Sequence, residues 1–176
     1  MLRHELPEDY KEVEAIVYEA FESSSLYEFK DPTEHKLVAA LRKTDGYVPE
    51  LSIVVQEGWD IVGHALSTVV KIEGEQEKEV LALAPMSVKP VLQKSGVGLQ
   101  LIMETIDTAK KLGYGAIVVL GHANYYPRFG FLQAKEFNIE CNIDGVDDYL
   151  FVMELEKGYL EKNSKVIYPE VFFEEF

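Results

Sequence analysis

The chain has 176 residues, 47% of them hydrophobic, with 31 acidic side chains against 17 basic ones and a formal net charge of −14. That length suits one domain with a sizeable core, and the apolar content excludes a disordered chain. The negative balance repels a phosphate backbone, so no nucleic-acid partner is expected, and the lone Cys141 excludes an internal disulfide framework.

Residues 1–6 are predicted as the first strand. Over residues 8–21, Val13, Ile16, Val17 and Ala20 recur at helical spacing, and Ser23-Ser24-Ser25 breaks the pattern. Asp31-Pro32 begins a second helix, capped by Thr33 or Asp31, with Leu37, Val38 and Leu41 inward. Residues 51–56 and 61–72 read as strands joined by a tight turn over residues 57–60. The acidic stretch 73–79 reads as a polar hairpin connection into the apolar run 80–88, a buried strand. After a turn at Pro90, Val97, Leu101, Ile102, Ile106, Ala109 and Leu112 share one face of a long helix. Residues 116–120 form another short buried strand. A strand near 134–139, an acidic turn at 144–148 and a strand over 149–155 complete the pattern. The order β-α-α-β-β-β-α-β-(short α)-β-β predicts an α/β (α+β) protein, a central mixed sheet with helices on its faces, and leaves several topologies open. One domain is expected over residues 1–176, with 157–176 as a C-terminal extension. No stretch has the apolar length to span a bilayer, and Met1-Leu2-Arg3-His4-Glu5 shows no signal-peptide pattern. A cytoplasmic protein with no membrane partner is expected.

The most informative stretch is Gln93-Lys94-Ser95-Gly96-Val97-Gly98, where the buried strand hands over to the long helix. Unpaired N–H groups of a first helical turn, with the positive end of the helix dipole, make an anion site. Gly96 and Gly98 lack Cβ atoms and let a phosphate approach the backbone, although an ordinary turn would also use glycine for its dihedrals. Lys89 and Lys94 flank the turn. The order of a Walker A loop is absent, and Leu101 stands where a dinucleotide fingerprint needs its third glycine. Nucleotide hydrolysis and hydride transfer therefore lose support. No Gly-x-Ser-x-Gly is present, Cys141 has no basic neighbour, and His4, His35, His64 and His122 show no metal-ligand spacing. No metal is expected.

Downstream, the strand over 116–120 is followed by Gly121-His122-Ala123-Asn124-Tyr125-Tyr126-Pro127-Arg128-Phe129-Gly130-Phe131. At this point the chain resembles the GNAT superfamily of N-acetyltransferases, in its small single-domain bacterial-type branch. In that family an apolar-x-Val strand end precedes Gln/Arg-x-x-Gly-x-Gly/Ala, and Tyr-x-Lys/Arg-x-Gly-Phe follows the next strand. Met86-Ser87-Val88 with Gln93 to Gly98, and Tyr126 to Phe131, stand here in that order. Leu2-Arg3 with Pro7-Glu8-Asp9 resembles the family's opening, and Val166-Ile167-Tyr168-Pro169 a bacterial-type tail, so the likeness covers most of the chain.

The resemblance implies the acyl-CoA N-acyltransferase fold, with a mixed, mostly antiparallel sheet and acetyl-CoA as co-substrate. It implies that Met86, Ser87 and Val88 pair with the pantetheine arm, and that Gln93, Lys94, Ser95, Gly96, Val97 and Gly98 hold the pyrophosphate. It further implies that Tyr126 protonates the departing thiolate, whereas Tyr125, Phe129 and Phe131 read as packed aromatics. His122 is the candidate base, ahead of His64 and Glu79. One departure is that Asn124 stands only two residues before Tyr126, which removes the support for a cofactor-contacting asparagine there. Two functions are expected to compete: an N-acetyltransferase acting on a primary amine of a small molecule or peptide, and a non-catalytic acyl-CoA-binding or regulatory module. A phenol placed as proton donor favours the enzyme. The charge suggests a small cationic acceptor such as a polyamine, taken up by residues 22–43, the 73–78 hairpin and the C-terminal tail. The aromatic tail from Tyr168 to Phe176 could serve a homodimer.

Overall fold

The computed structural model describes residues 1–24 and 31–176. Its strands are β1 (Leu2–His4), β2 (Tyr47–Glu57), β3 (Asp60–Glu73), β4 (Glu77–Val88), β5 (Ala116–Leu120), β6 (Leu132–Gln133), β7 (Glu140–Cys141), β8 (Leu150–Glu154) and β9 (Lys165–Ile167). The helices are α1 (Tyr10–Glu22), α2 (Glu34–Leu41) and α3 (Val97–Lys111). The strands form one sheet in the order β1-β2-β3-β4-β5-β8-β6, with β9 beside both β3 and β7. Along that path every neighbouring pair is antiparallel except β4 and β5. The mixed, mostly antiparallel sheet expected from the sequence is what forms.

The helical stripes decide which face each helix covers. Val97, Leu101, Ile102, Ile106 and Ala109 of α3 are buried against Leu51, Ile53, Leu81, Ile117 and Val119 on one face. Val13, Ile16 and Val17 of α1 join Val38 and Leu41 of α2 over Val54, Ile61 and Leu66 on the other. Burial of these apolar side chains, at roughly 25 cal/mol per Å², dominates the docking of both layers.

Several local expectations need correction. The predicted strand near 134–139 is a single-turn 3-10 helix, Ala134–Phe137, set between the two-residue strands β6 and β7. Asn138 closes it in the left-handed region (φ 53°), a turn conformation that asparagine tolerates and a strand cannot use. The 73–79 hairpin shrinks to Gly74–Gln76, because β3 runs through Glu73 and β4 starts at Glu77. Leu112 lies beyond α3 and is 45% exposed, so it is not part of the buried face. Strand β9 carries no periodic signal in its three residues, yet it pairs with Lys71–Glu73 of β3, where β2 no longer runs. Thr33 is the residue before α2, but its side chain makes no capping bond; its amide donates to the Glu34 carboxylate instead (3.0 Å). Ser25 of the serine break lies outside the described residues.

Candidate functional site

The site begins where β4 and β5 part. Their parallel pairing covers only Leu81, Ala82 and Leu83 against Ile117, Val118 and Val119. Beyond Leu83 a register shift opposite Ala65 and Ser67 of β3 bends β4 away, as bulges do, and β5 turns off at Gly121. The wedge between them opens into a cavity of about 720 Å³ lined by Leu83, Ala84, Pro85, Met86, Leu120 and Gly121, with His122, Tyr125, Tyr126 and Tyr149. Phe21 of α1 and Glu34 and Leu37 of α2 close it from the other side.

Tyr126 starts the 3-10 turn Tyr126–Phe129 and is 8% exposed. Its ring lies so close over Gly121 that any side chain there would collide with it. Edge contacts to Tyr125 and Phe131, with centroids 5.1 and 5.6 Å away, fix the ring. Burial raises its phenol above the usual range, so it stays protonated across the neutral region. His122 is exposed on the rim, and Asn124 is exposed and outside the cavity lining.

The turn before α3 forms a second hollow of about 540 Å³, lined by Lys94, Gly96, Gly98, Leu99, Tyr125, Arg128 and Phe129. Lys94 (φ 66°) and Gly96 (φ 95°) both adopt left-handed backbone, which turns the chain sharply into the helix. The first amide paired within α3 is that of Gln100, bonded to the Gly96 carbonyl (3.1 Å). No side chain caps the helix, so the amides of Val97, Gly98 and Leu99 are left as donors at its positive end. Gly98 is needed for a different reason from Gly96: the Tyr125 hydroxyl sits where its Cβ would be.

The proposed cofactor residues therefore divide. Met86 lines the cavity, Gly96 and Gly98 line the hollow, and Val97 is buried in the core with only its amide available. Ser87 points to the opposite face of β4 and is buried, while Val88 is half-buried beside Gly63 of β3. Gln93 donates to the Val88 carbonyl (3.4 Å) and Ser95 to that of Leu92, so both side chains brace the turn. Tyr125, Arg128 and Phe129 were not assigned from sequence, although Arg128 stands inside the very motif that marked Tyr126. Its guanidinium stacks 5.1 Å from the Tyr125 ring and adds a second cation beside Lys94. Glu34 and Leu37 lie in the 22–43 segment expected to take up the acceptor, whereas Phe21 and Tyr149 come from distant segments that carry no local signal.

His64 is not a cleft base. It is fully buried, with Nε2 2.9 Å from the Ser52 hydroxyl, which itself donates to Glu5 (2.7 Å). Because that hydroxyl's proton goes to the carboxylate, His64 Nε2 is the donor to Ser52. Glu5 in turn pairs with Arg42 at 2.5 Å, and Arg42 with Glu14 at 2.6 Å. Burial, reinforced by the Arg42 charge, pushes the imidazole down to about 3. An unfolded histidine takes up a proton near pH 6.5. Between those values the unfolded chain holds the extra proton, so stability is full above about 6.5 and falls as the pH drops. Denaturant unfolding between pH 6.5 and 4.5 should cost the wild type about 2 kcal/mol more than His64→Gln, at a limiting slope near 1.4 kcal/mol per pH unit. Equal pH dependence in the two proteins would contradict the buried neutral imidazole. Glu79 is exposed on β4 outside the cavity lining, and the 73–78 hairpin packs on Tyr159 and Glu161, roughly 20 Å along β4 from the wedge. Burial raises the Cys141 thiol, which makes it a poor nucleophile. Among the described residues no group of His, Cys, Asp and Glu could hold a metal, and no helix is long and apolar enough to cross a membrane.

The sheet splits at one parallel pair, with an uncapped helix N-terminus beside the split, and comparison with known proteins makes the family specific. The profile of the Acetyltransferase (GNAT) family matches residues 11–131, and the chain belongs to that family. It is 27% identical over 176 residues to the Escherichia coli K12 protein named uncharacterized N-acetyltransferase YhbS, covering 100% of this chain and 99% of that one. A shorter match, 39% over 99 residues, joins it to the E. coli K12 protein named uncharacterized N-acetyltransferase YjhQ, over 56% of this chain and 55% of that protein. The crystal structure of YhbS in complex with CoA superposes with a TM-score of 0.84 at 24% identity, covering 100% of this chain and 93% of that one. A Brucella melitensis GNAT acetyltransferase in complex with acetyl-CoA gives 0.77 at 28% identity, covering 98% and 97%.

Proposed function

We propose that the protein transfers an acetyl group from acetyl-CoA directly to a primary amine. The observation that carries this reading is the meeting of the two hollows at Tyr125, which lines both. A linear thioester can lie across that junction with its anionic part at one end and its reacting carbonyl at the other. The amides of Val97, Gly98 and Leu99, with Lys94 and Arg128, receive the pyrophosphate. The edge of β4 past Leu83, freed from β5, offers backbone groups of residues 84–88 to the pantetheine amides. Both GNAT structures named above were solved with CoA or acetyl-CoA bound, and the second shares 28% of its residues with this chain.

In the wedge, the amine must first become neutral, and His122 on the rim is the group placed to take its proton, directly or through water. The amine nitrogen then bonds to the thioester carbon, and the carbon–sulfur bond breaks as the tetrahedral adduct collapses. Tyr126 gives its proton to the departing sulfur, and the proton that the acylated nitrogen sheds restores the phenol through solvent, so the products are an amide and a free thiol. Burial makes this phenol a weaker acid, so its contribution is a hydrogen bond that strengthens as charge builds on sulfur, followed by proton transfer. A non-catalytic CoA-binding module would have no use for a protonated phenol at that place. The reading also takes residues 1–176 as one catalytic domain in a cytoplasmic setting.

The test is thiol release from acetyl-CoA on addition of primary amines, with the acetylated product identified by mass spectrometry. Amine-dependent release with an N-acetyl product is expected. Tight acetyl-CoA binding without product from any amine would favour the binding module.

A further inference from the structure

We propose that the acceptor is a primary amine with a single positive charge and an apolar body, aromatic or branched aliphatic, seated against Phe21, Leu37 and Tyr149. This rests on the acetyl-transfer reading of the same site. Once the thioester arm is laid along Leu83 to Met86, Tyr125 and Tyr126, the side chains left on the cavity wall, Gly121 having none, are Phe21, Glu34, Leu37, Leu120, His122 and Tyr149. Four of these six are apolar or aromatic, and Glu34 is the one carboxylate among the described lining residues.

The wall is built rather than incidental. Glu34 and Leu37 stand three residues apart on α2 and so present one face to the cavity. The Glu34 carboxylate is oriented by the Thr33 amide (3.0 Å). Tyr149 is half exposed at the cavity edge, and its carbonyl accepts from the Gly121 amide (2.9 Å), beside His122. The acidic surface attracts any cation and does not distinguish one charge from several. The cavity does. A polyamine or aminoglycoside would bring further charges against the apolar side chains of Phe21, Leu37 and Leu120, and burying a charge there is strongly unfavourable. An acidic amine would meet Glu34 with like charge. An apolar body instead gains by leaving water against that wall.

The experiment compares kcat/KM for 2-phenylethylamine, butylamine, spermidine and glutamate at saturating acetyl-CoA. Per neutral amine, phenylethylamine should exceed butylamine by roughly 10-fold or more, since apolar contact area is then what separates them. Leu37→Gln and Tyr149→Ser should each remove most of that advantage while leaving acetyl-CoA affinity, read by calorimetry, unchanged. Both positions are partly exposed, so the fold should tolerate the changes. A flat ladder, or spermidine or glutamate as the best acceptor, would overturn the proposal. So would acetyl-CoA binding with no turnover of either monoamine. Failure of acetyl-CoA to bind at all would instead overturn the reading of the site beneath it.

Discussion

Tyr126→Phe should lower kcat by roughly 10²-fold or more and leave acetyl-CoA affinity and thermal stability close to wild type. The ring is what packs: it covers Gly121 and touches Tyr125, Phe131 and Phe151, and phenylalanine keeps all of those contacts. Only the hydroxyl is lost, and among the described residues it has no hydrogen-bond partner to leave orphaned. The change therefore separates chemistry from structure with little ambiguity. Loss of a donor to the departing sulfur should appear in kcat and kcat/KM together, as expected for an interaction made only in the transition state. Tyr125→Phe is the matched control, because Tyr125 lines both hollows and its hydroxyl rests on Gly98. It should change acetyl-CoA affinity more than turnover. Full activity in Tyr126→Phe would return that residue to the aromatic cluster and leave the leaving group to water.

Gly96→Glu should weaken CoA binding by about 10²-fold, the scale of a like-charge clash at close quarters, and abolish the thermal stabilisation by the ligand. The residue precedes α3 with φ at 95°, and a Cβ there meets no atom within 4 Å. The substitution therefore costs left-handed backbone strain, of order 1–2 kcal/mol, without a steric clash in the protein. Its carboxylate would sit at the amides of Val97, Gly98 and Leu99, competing for the donors that a pyrophosphate needs. Gly96→Ala carries the same strain without the charge and should keep most of the affinity. Wild-type binding in Gly96→Glu would remove the anion assignment. Equal loss in the alanine and glutamate variants would trace the effect to backbone conformation alone.

The expectation of a cationic, polyamine-like acceptor rests on net charge, a property of the whole surface. The hairpin over 73–78, which carries part of that charge, lies at the far end of β3 and β4, tied to Tyr159 and Glu161. Charge summed over a chain says nothing about which side chains line a cavity. Part of the other acceptor-side segment, residues 25–30, lies outside the described residues. His64 shows a related limit. In sequence it is a histidine in a strand, and only the convergence of Glu5, Ser52 and Arg42 makes it a buried donor with no access to the cleft.

What the sequence determined by itself was local and periodic. The stripe from Val97 to Ala109 specified a helix and its buried face, the apolar run into Val88 specified a strand, and Gly96 with Gly98 marked the turn between them. These are readable because burial of a face imposes a period of 3.6 or 2 on neighbouring residues, and a left-handed turn imposes glycine. The order of the two motifs then carried the family. Tertiary structure alone decided where β4 and β5 cease to pair, that β9 fills the place beside β3 which β2 leaves, and that two hollows meet at Tyr125. It alone brought Phe21, Leu37 and Tyr149 to one wall. Contacts between residues more than a hundred positions apart leave no period in the chain, since each follows from how the whole sheet twists and bends around its core.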